Sequence, residues 1–237
     1  ELGGEHPLGH DIYTFGLDME VIDGVVYVSR YDPEGSLFKV QKFDDTNPDA
    51  RWEDVTGDEE SWKETSVFFH NTKFHQGTAY HATIDFYGYT HVKVASGTKW
   101  QEIGKLGTPN GRLGFTDPVV RWYAGLLYVA YPFEEYIGGK LYDHLAVSRY
   151  DGTGWTMLGE PIVIEHENNE FKNIALHIDQ GKVTLAVLER IWGQGLDQFK
   201  MFTYVDAIDL AAPPAVAADP RERRAGEEVV LTFGDDP

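Results

Sequence analysis

The chain has no cysteine in its 237 residues. Thiol nucleophiles, thiolate metal sites and disulfide staples are excluded together, although the compartment is not fixed by this. Basic residues are also scarce: 20 Lys and Arg stand against 39 Asp and Glu, a net charge of −19 that protonating all nine His would reduce only to −10. Such a field repels a nucleic-acid duplex or an anionic lipid surface, so neither nucleic acid nor membrane is expected as a partner. No apolar run approaches the roughly 20 residues that a membrane-spanning helix needs. The Gly-x-Ser-x-Gly elbow, the phosphate-binding loop and the dinucleotide fingerprint are all missing, which leaves serine hydrolysis, nucleotide use and nicotinamide chemistry without support. No window of about 12 residues carries a capped 3.6-residue apolar period. The chain opens Glu1-Leu2-Gly3-Gly4 without a signal-like segment, and its start is read as a processing or cloning boundary.

What is present favours strands. Hydrophobic residues make up 42% and charged ones 25%, the balance of a folded globular protein. Six Trp, 13 Tyr and 13 Phe accompany 25 Gly. Aromatic rings pack well on pleated surfaces, and glycine supplies the positive-φ positions of tight turns.

The chain repeats itself four times. Asp18–Arg30, Phe69–His81, Asp117–Val129 and Ile174–Leu185 each read as an alternating strand, a glycine turn and a second strand. The turn glycines Gly24, Gly77, Gly125 and Gly181 lie 53, 48 and 56 residues apart, and the third residue after each is Tyr27, Tyr80, Tyr128 or Thr184. Polar loops are expected at Asp32–Gly35, Asp85–Gly88, Phe133–Gly139 and Glu189–Gly195, followed by third strands at Leu37–Phe43, Tyr89–Val94, Leu141–Tyr150 and Gln198–Tyr204. Short fourth strands begin at Trp52, Trp100 and Trp155, and these Trp are expected to fill the space between neighbouring sheets. A four-stranded antiparallel unit of about 50 residues is a propeller blade. The expected fold is therefore an all-β propeller of four repeats over residues 1–210, with a fifth blade, from Gly9–Phe15 or from residues outside the chain, as the alternative.

Residues 211–220 read as a linker rich in small residues and proline, and 221–237 as a terminal strand. That strand is expected to be the truncated start of a further domain, with docking on the propeller as the other reading.

Two resemblances follow from these residues. The segment Arg149-Tyr150-Asp151-Gly152-Thr153-Gly154-Trp155-Thr156-Met157-Leu158-Gly159, repeated in outline at Ala95–Gly104, resembles bacterial propellers of the broad sialidase-like and kelch-like kind. It implies a propeller architecture; the sialidase arginine triad and Asp-box are not recognisable, so no sialidase activity is inferred. Gly226–Asp236 resembles the opening strand of small β-domains of large bacterial surface proteins, which implies a secreted or cell-surface parent with covalently linked neighbouring domains.

Propeller ligands meet the loops at one end of the blades. Asp18 and Asp117-Pro118 resemble the inner-strand acids of five-bladed glycoside hydrolases, and with Glu189 as proton donor they form the candidate catalytic set. A structural hydrogen-bonding role is the competing reading of the same residues. Arg30, His81, Asp85, Tyr87, Glu134, Tyr136, Arg190 and Trp192 are the candidate ligand-binding residues. Flat rings stack on sugar faces while planar polar groups hold hydroxyls, although loop aromatics also cap blade ends. The nine His show no metal-ligand spacing, and no cofactor is expected. Asp44-Asp45-Thr46-Asn47-Pro48-Asp49 offers alternating oxygens for Ca²⁺, but lacks the glycine and glutamate of an EF-hand loop and reads first as a turn. The resulting expectation is an extracellular glycan-binding module of a larger protein. A glycoside hydrolase or lyase is the first alternative and a protein–protein scaffold the second.

Overall fold

The structure is a computed structural model that describes residues 17–32, 37–44, 51–55, 69–85, 87–96, 99–107, 116–164, 169–191, 196–205 and 229–232. Among these residues there are seventeen strands and no helix. The first sheet orders β1 (Leu17–Ile22), β2 (Val25–Asp32), β3 (Leu37–Asp44) and β4 (Glu53–Asp54), and the second β5 (His70–His75), β6 (Thr78–Ile84), β7 (Thr90–Ser96) and β8 (Lys99–Leu106). The third comprises β9 (Val119–Tyr123), β10 (Leu126–Ile137), β11 (Lys140–Tyr150) and β12 (Trp155–Met157), with β13 (Ile162–Ile164) also paired to β11. The fourth is β14 (Asn169–Asp179), β15 (Lys182–Ile191), β16 (Leu196–Val205) and β17 (Val229–Thr232). Each sheet is an antiparallel meander, the blade of a β-propeller, as the repeat predicts.

The first hairpin of every blade closes the same way. Asp23-Gly24, Gln76-Gly77, Ala124-Gly125 and Gln180-Gly181 all have positive φ at both positions, near 50° and then between 74° and 83°. Two consecutive positive φ values make the turn whose twist matches that of the flanking strands. Glycine is demanded at the second place, where a Cβ is most strained.

The chain forms two compact units, Glu1–Leu113 and Gly114–Pro237, each holding two blades. In the first unit, Val40 of the first sheet packs with Phe74, Ala79 and Trp100 of the second, flanked by Ile22, Tyr27 and Val55. Trp100 therefore fills the space between blades, as expected from its position, and each such buried side chain contributes on the order of 1.5–3 kcal/mol. Trp52 and Trp155 pack on Phe43 and Tyr150 of their own sheets, at 5.4 and 5.1 Å. In the second unit, Tyr128, Ala130, Leu145 and Val147 of the third sheet meet Phe171, Leu176, Val183, Leu185 and Val187 of the fourth.

Two expectations are corrected. Phe133–Gly139 is not a loop: β10 continues to Ile137, pairing through Ile137↔Lys140, and only Gly138 and Gly139 turn, with φ of 61° and 84°. The partner run from Leu141 to Leu145 supports it. Pro132 is tolerated because β9 ends opposite Ala130, so that on this side Pro132 faces no paired strand among the described residues. Glu189 and Arg190 likewise belong to β15 rather than to a loop, because β16 pairs with them through Gln198 and Asp197. Val229–Thr232, as β17, hydrogen-bonds to β16 from Met201↔Val229 to Gln198↔Thr232 and is the outer strand of the fourth blade. Gly9–Phe15 and the linker 211–220 lie outside the described residues.

Candidate functional site

In every blade the inner strand begins at the end where the second strand finishes, which sets the candidate residues of each unit near one end. Asp18 lies on β1 of the first unit and reaches β5. Its Oδ2 accepts the Thr72 backbone N–H at 2.7 Å, its Oδ1 accepts Asn71 Nδ2 at 3.1 Å, and His70 Nδ1 stands 3.8 Å from Oδ2. The carboxylate is thus oriented by two donors from the neighbouring blade. Neither partner was singled out from the sequence, although the 53-residue repeat places Asn71 at the position equivalent to Asp18.

Behind this carboxylate lies a buried polar group. His81 is in the middle of β6, fully buried, with Nδ1 2.9 Å from Thr72 Oγ1 and its ring 5.3 Å from His70 and 5.7 Å from Trp100. Burial first, then the charges of His70 and Lys93, hold its pKa well below the usual imidazole value. The expectation that His81 meets ligand from a loop is corrected: it has no exposed surface and acts inside the blade. Arg30 pairs with Leu17 and Lys39 through its backbone, at the end of β2 where Asp18 pairs with Ser29; its side chain lies outside the described residues.

Asp85 follows β6 and is consumed by its own turn. Its Oδ1 accepts the backbone N–H of Tyr87 and of Tyr89, each at 2.9 Å, and its Oδ2 lies 2.9 Å from His91 Nε2. The other ring nitrogen, Nδ1, is 2.7 Å from Glu102 Oε2. Tyr87 projects from this turn, while the Tyr89 ring is covered by Lys105 Nζ at 3.8 Å. His91 and Glu102 were not legible as a pair, because β7 and β8 bring them together only once their register is known.

In the second unit, Arg121 of β9 donates from Nε to the Leu176 carbonyl at 3.2 Å, and Gln180 N–H donates to Tyr123 Oη at 2.7 Å. β9 and β14 therefore run side by side in the same direction. Asp117, exposed, precedes β9, and Glu189 on β15 stands opposite Phe171 near the start of β14. Both belong to the same end of this unit. Glu189 is buried, with Lys200 Nζ 3.0 Å from its Oε2, a partner two residues beyond Gln198 on β16. Arg190 grips Asp197 with two contacts at 2.9 and 3.3 Å, and this hydrogen bonding chiefly lowers the Asp197 pKa.

Glu134 is buried directly across from Asp143 on the long β10–β11 arm, and Tyr136 is exposed near its tip. On the other face of the arm, the His144 ring stacks on Phe133 at 4.9 Å with Glu135 Oε2 3.5 Å from Nε2. Burial lowers the His144 pKa and Glu135 opposes that shift. Trp192 and residues 45–49 of the Ca²⁺ candidate lie outside the described residues. Among the described residues no group of three or more His, Asp or Glu converges to hold a metal.

No family model and no curated protein matches the chain. Solved structures do. An α-L-arabinanase of Penicillium chrysogenum, complexed with arabinobiose, superposes with a TM-score of 0.55 at 11% identity, over 82% of this chain and 63% of that one. An α-L-arabinofuranosidase of Fusarium graminearum follows at 0.47 and 13% identity, over 79% and 61%, and a thermostable family-43 glycoside hydrolase at 0.46 and 12%, over 100% and 76%. The chain spans less than two thirds of the length of the first two. At such identity the likeness to the arabinanase is one of fold alone.

Proposed function

We propose that the chain is the blade-built part of a glycoside hydrolase acting on arabinose-containing polysaccharide, rather than the non-catalytic glycan-binding module expected from the sequence. The observation that carries this reading is the likeness in fold to an arabinanase complexed with arabinobiose. Asp117 and Glu189, at the same end of the second unit, are the proposed pair for general acid and base work, which glycoside cleavage divides between two carboxylates. Asp18, oriented by Thr72 and Asn71 in the first unit, is a further candidate to be tested separately. The sialidase-like and kelch-like resemblance stays at the level of architecture. A secreted or cell-surface location and covalently linked neighbours remain part of the proposal.

One observation favours a second reading, binding without turnover: Asp18 is engaged by backbone and amide donors and Glu189 by Lys200, so both have structural work. Incubation with a panel of arabinans and related polysaccharides, followed by reducing-end assay, separates the two. The hydrolase reading expects release by the wild type, and a fall of about 10²-fold or more in Asp117→Asn and Glu189→Gln. Retention of polymer by an inert wild type would establish the binding module, and absence of both would remove the glycan reading.

A further inference from the structure

We propose that the turn between β6 and β7 is a saccharide-stacking subsite in which Tyr87 is the ring platform and Asp85, His91 and Glu102 clamp the turn that carries it. The proposal rests on the glycan reading above and adds to it a place and a ligand chemistry.

At 67% exposure, Tyr87 is the most exposed large apolar side chain among the described residues. A single exposed aromatic is ordinary on a protein surface. What sets this one apart is how firmly its backbone is fixed. Asp85 N–H donates to the Tyr89 carbonyl at 2.9 Å, Gly88 N–H donates to the Asp85 carbonyl at 3.0 Å, and Asp85 Oδ1 accepts both Tyr87 and Tyr89 N–H groups. Gly88 takes a φ of 83°, which this geometry requires.

The clamp goes further than a turn needs. His91, on β7, lies between Asp85 Oδ2 at 2.9 Å and Glu102 Oε2 of β8 at 2.7 Å. A carboxylate oxygen faces each ring nitrogen, so the imidazole links the turn to β7 and β8. Lys105, which faces His91 across the β7–β8 ladder, places its ammonium over Tyr89. Of the two tyrosines on the turn, one ring is occupied by this cation and the other is open. Turn and clamp together fix the backbone from which the open Tyr87 ring projects, so binding spends little on ordering that backbone.

An aromatic face held in this way accepts the C–H side of a furanose or pyranose ring. The carboxylates of Asp85 and Glu102 that brace the turn, on a chain of net charge −19, favour a neutral sugar over a uronate.

The experiment is affinity electrophoresis and calorimetry of the full chain against linear and branched arabinan, with polygalacturonate as the charged comparison. Tyr87→Ala is expected to weaken arabinan binding about tenfold, while Tyr87→Phe keeps it and polygalacturonate binds more weakly than arabinan in all variants. Glu102→Gln is expected to weaken binding without moving the melting temperature, and to add no loss in the Tyr87→Ala background, since the clamp acts through the turn that carries the ring. Unchanged affinity in Tyr87→Ala, or equal loss in Tyr87→Phe, overturns the stacking subsite while leaving the glycan reading intact. Additive losses overturn the clamp. A wild type that binds no polysaccharide overturns the glycan reading and this subsite with it.

Discussion

Glu20 and Arg121 hold the same place in their blades, four residues before Gly24 and Gly125, and each ties its inner strand to the inner strand of the next blade. Glu20 Oε2 accepts the Phe74 N–H at 3.1 Å, with Lys73 Nζ 3.8 Å away, whereas Arg121 donates from Nε to the Leu176 carbonyl at 3.2 Å. Opposite charges do one job because an inner strand offers its neighbour both donors and acceptors along its free edge.

Removing either tie leaves a backbone group of the neighbouring strand without its side-chain partner. Glu20→Ala and Arg121→Met are each expected to lower the free energy of unfolding by about 1–2 kcal/mol, read from urea denaturation. Stabilities equal to the wild type would show that these cross-blade bonds only replace equivalent bonds to water.

Glycine is required for two different reasons, and substitution separates them. A Cβ at Gly125, φ 80°, meets nothing within 4 Å, whereas one at Gly159, φ 66°, lies 2.9 Å from two ring carbons of Tyr204. That ring is half-buried against the core between the third and fourth blades, and burial pushes its hydroxyl pKa up to about 12. Gly125→Ala is expected to cost about 1 kcal/mol for the positive φ alone. Gly159→Ala carries a similar backbone cost plus about 1–3 kcal/mol for displacing the ring, and it should also lower the Tyr204 titration midpoint seen in ultraviolet difference spectra. Equal costs at the two sites would show that the ring moves freely.

His81 supplies a pH dependence whose sign is fixed by burial. Its folded-state pKa lies well below the ordinary 6.5, so the unfolded chain binds the proton more readily. The stability tied to this residue is complete above about pH 6.5 and is lost progressively as pH falls toward the folded-state value. Thermal melts between pH 7.5 and 5 are expected to show a declining midpoint that His81→Phe flattens. A slope that survives the substitution would locate the proton uptake elsewhere, His144 being the next candidate because burial also lowers its pKa.

The blades were legible because their signals are local. Four glycine turns in equal register, period-2 alternation and a Trp opening the outer strand specify hairpins within a few residues of themselves. The long β10 was missed for the opposite reason. Phe133-Glu134-Glu135-Tyr136 reads as a polar loop until Leu141–Leu145 pairs with it, and β13, the extra strand on β11, has no counterpart among the described residues of the other repeats. Among site residues, the sequence could name carboxylates and rings near the mouths of the blades, but not what each one touches.

Sequence alone determined the four glycine-turn hairpins and their repetition, since turn chemistry and alternation act over distances of a few residues along the chain. Only the tertiary structure decided that Asp85 builds a turn, that His81 is sealed inside a blade and that Glu189 is held by Lys200. In each of these the decisive partner arrives from another strand, in a register set by the whole sheet and by the core packed against it.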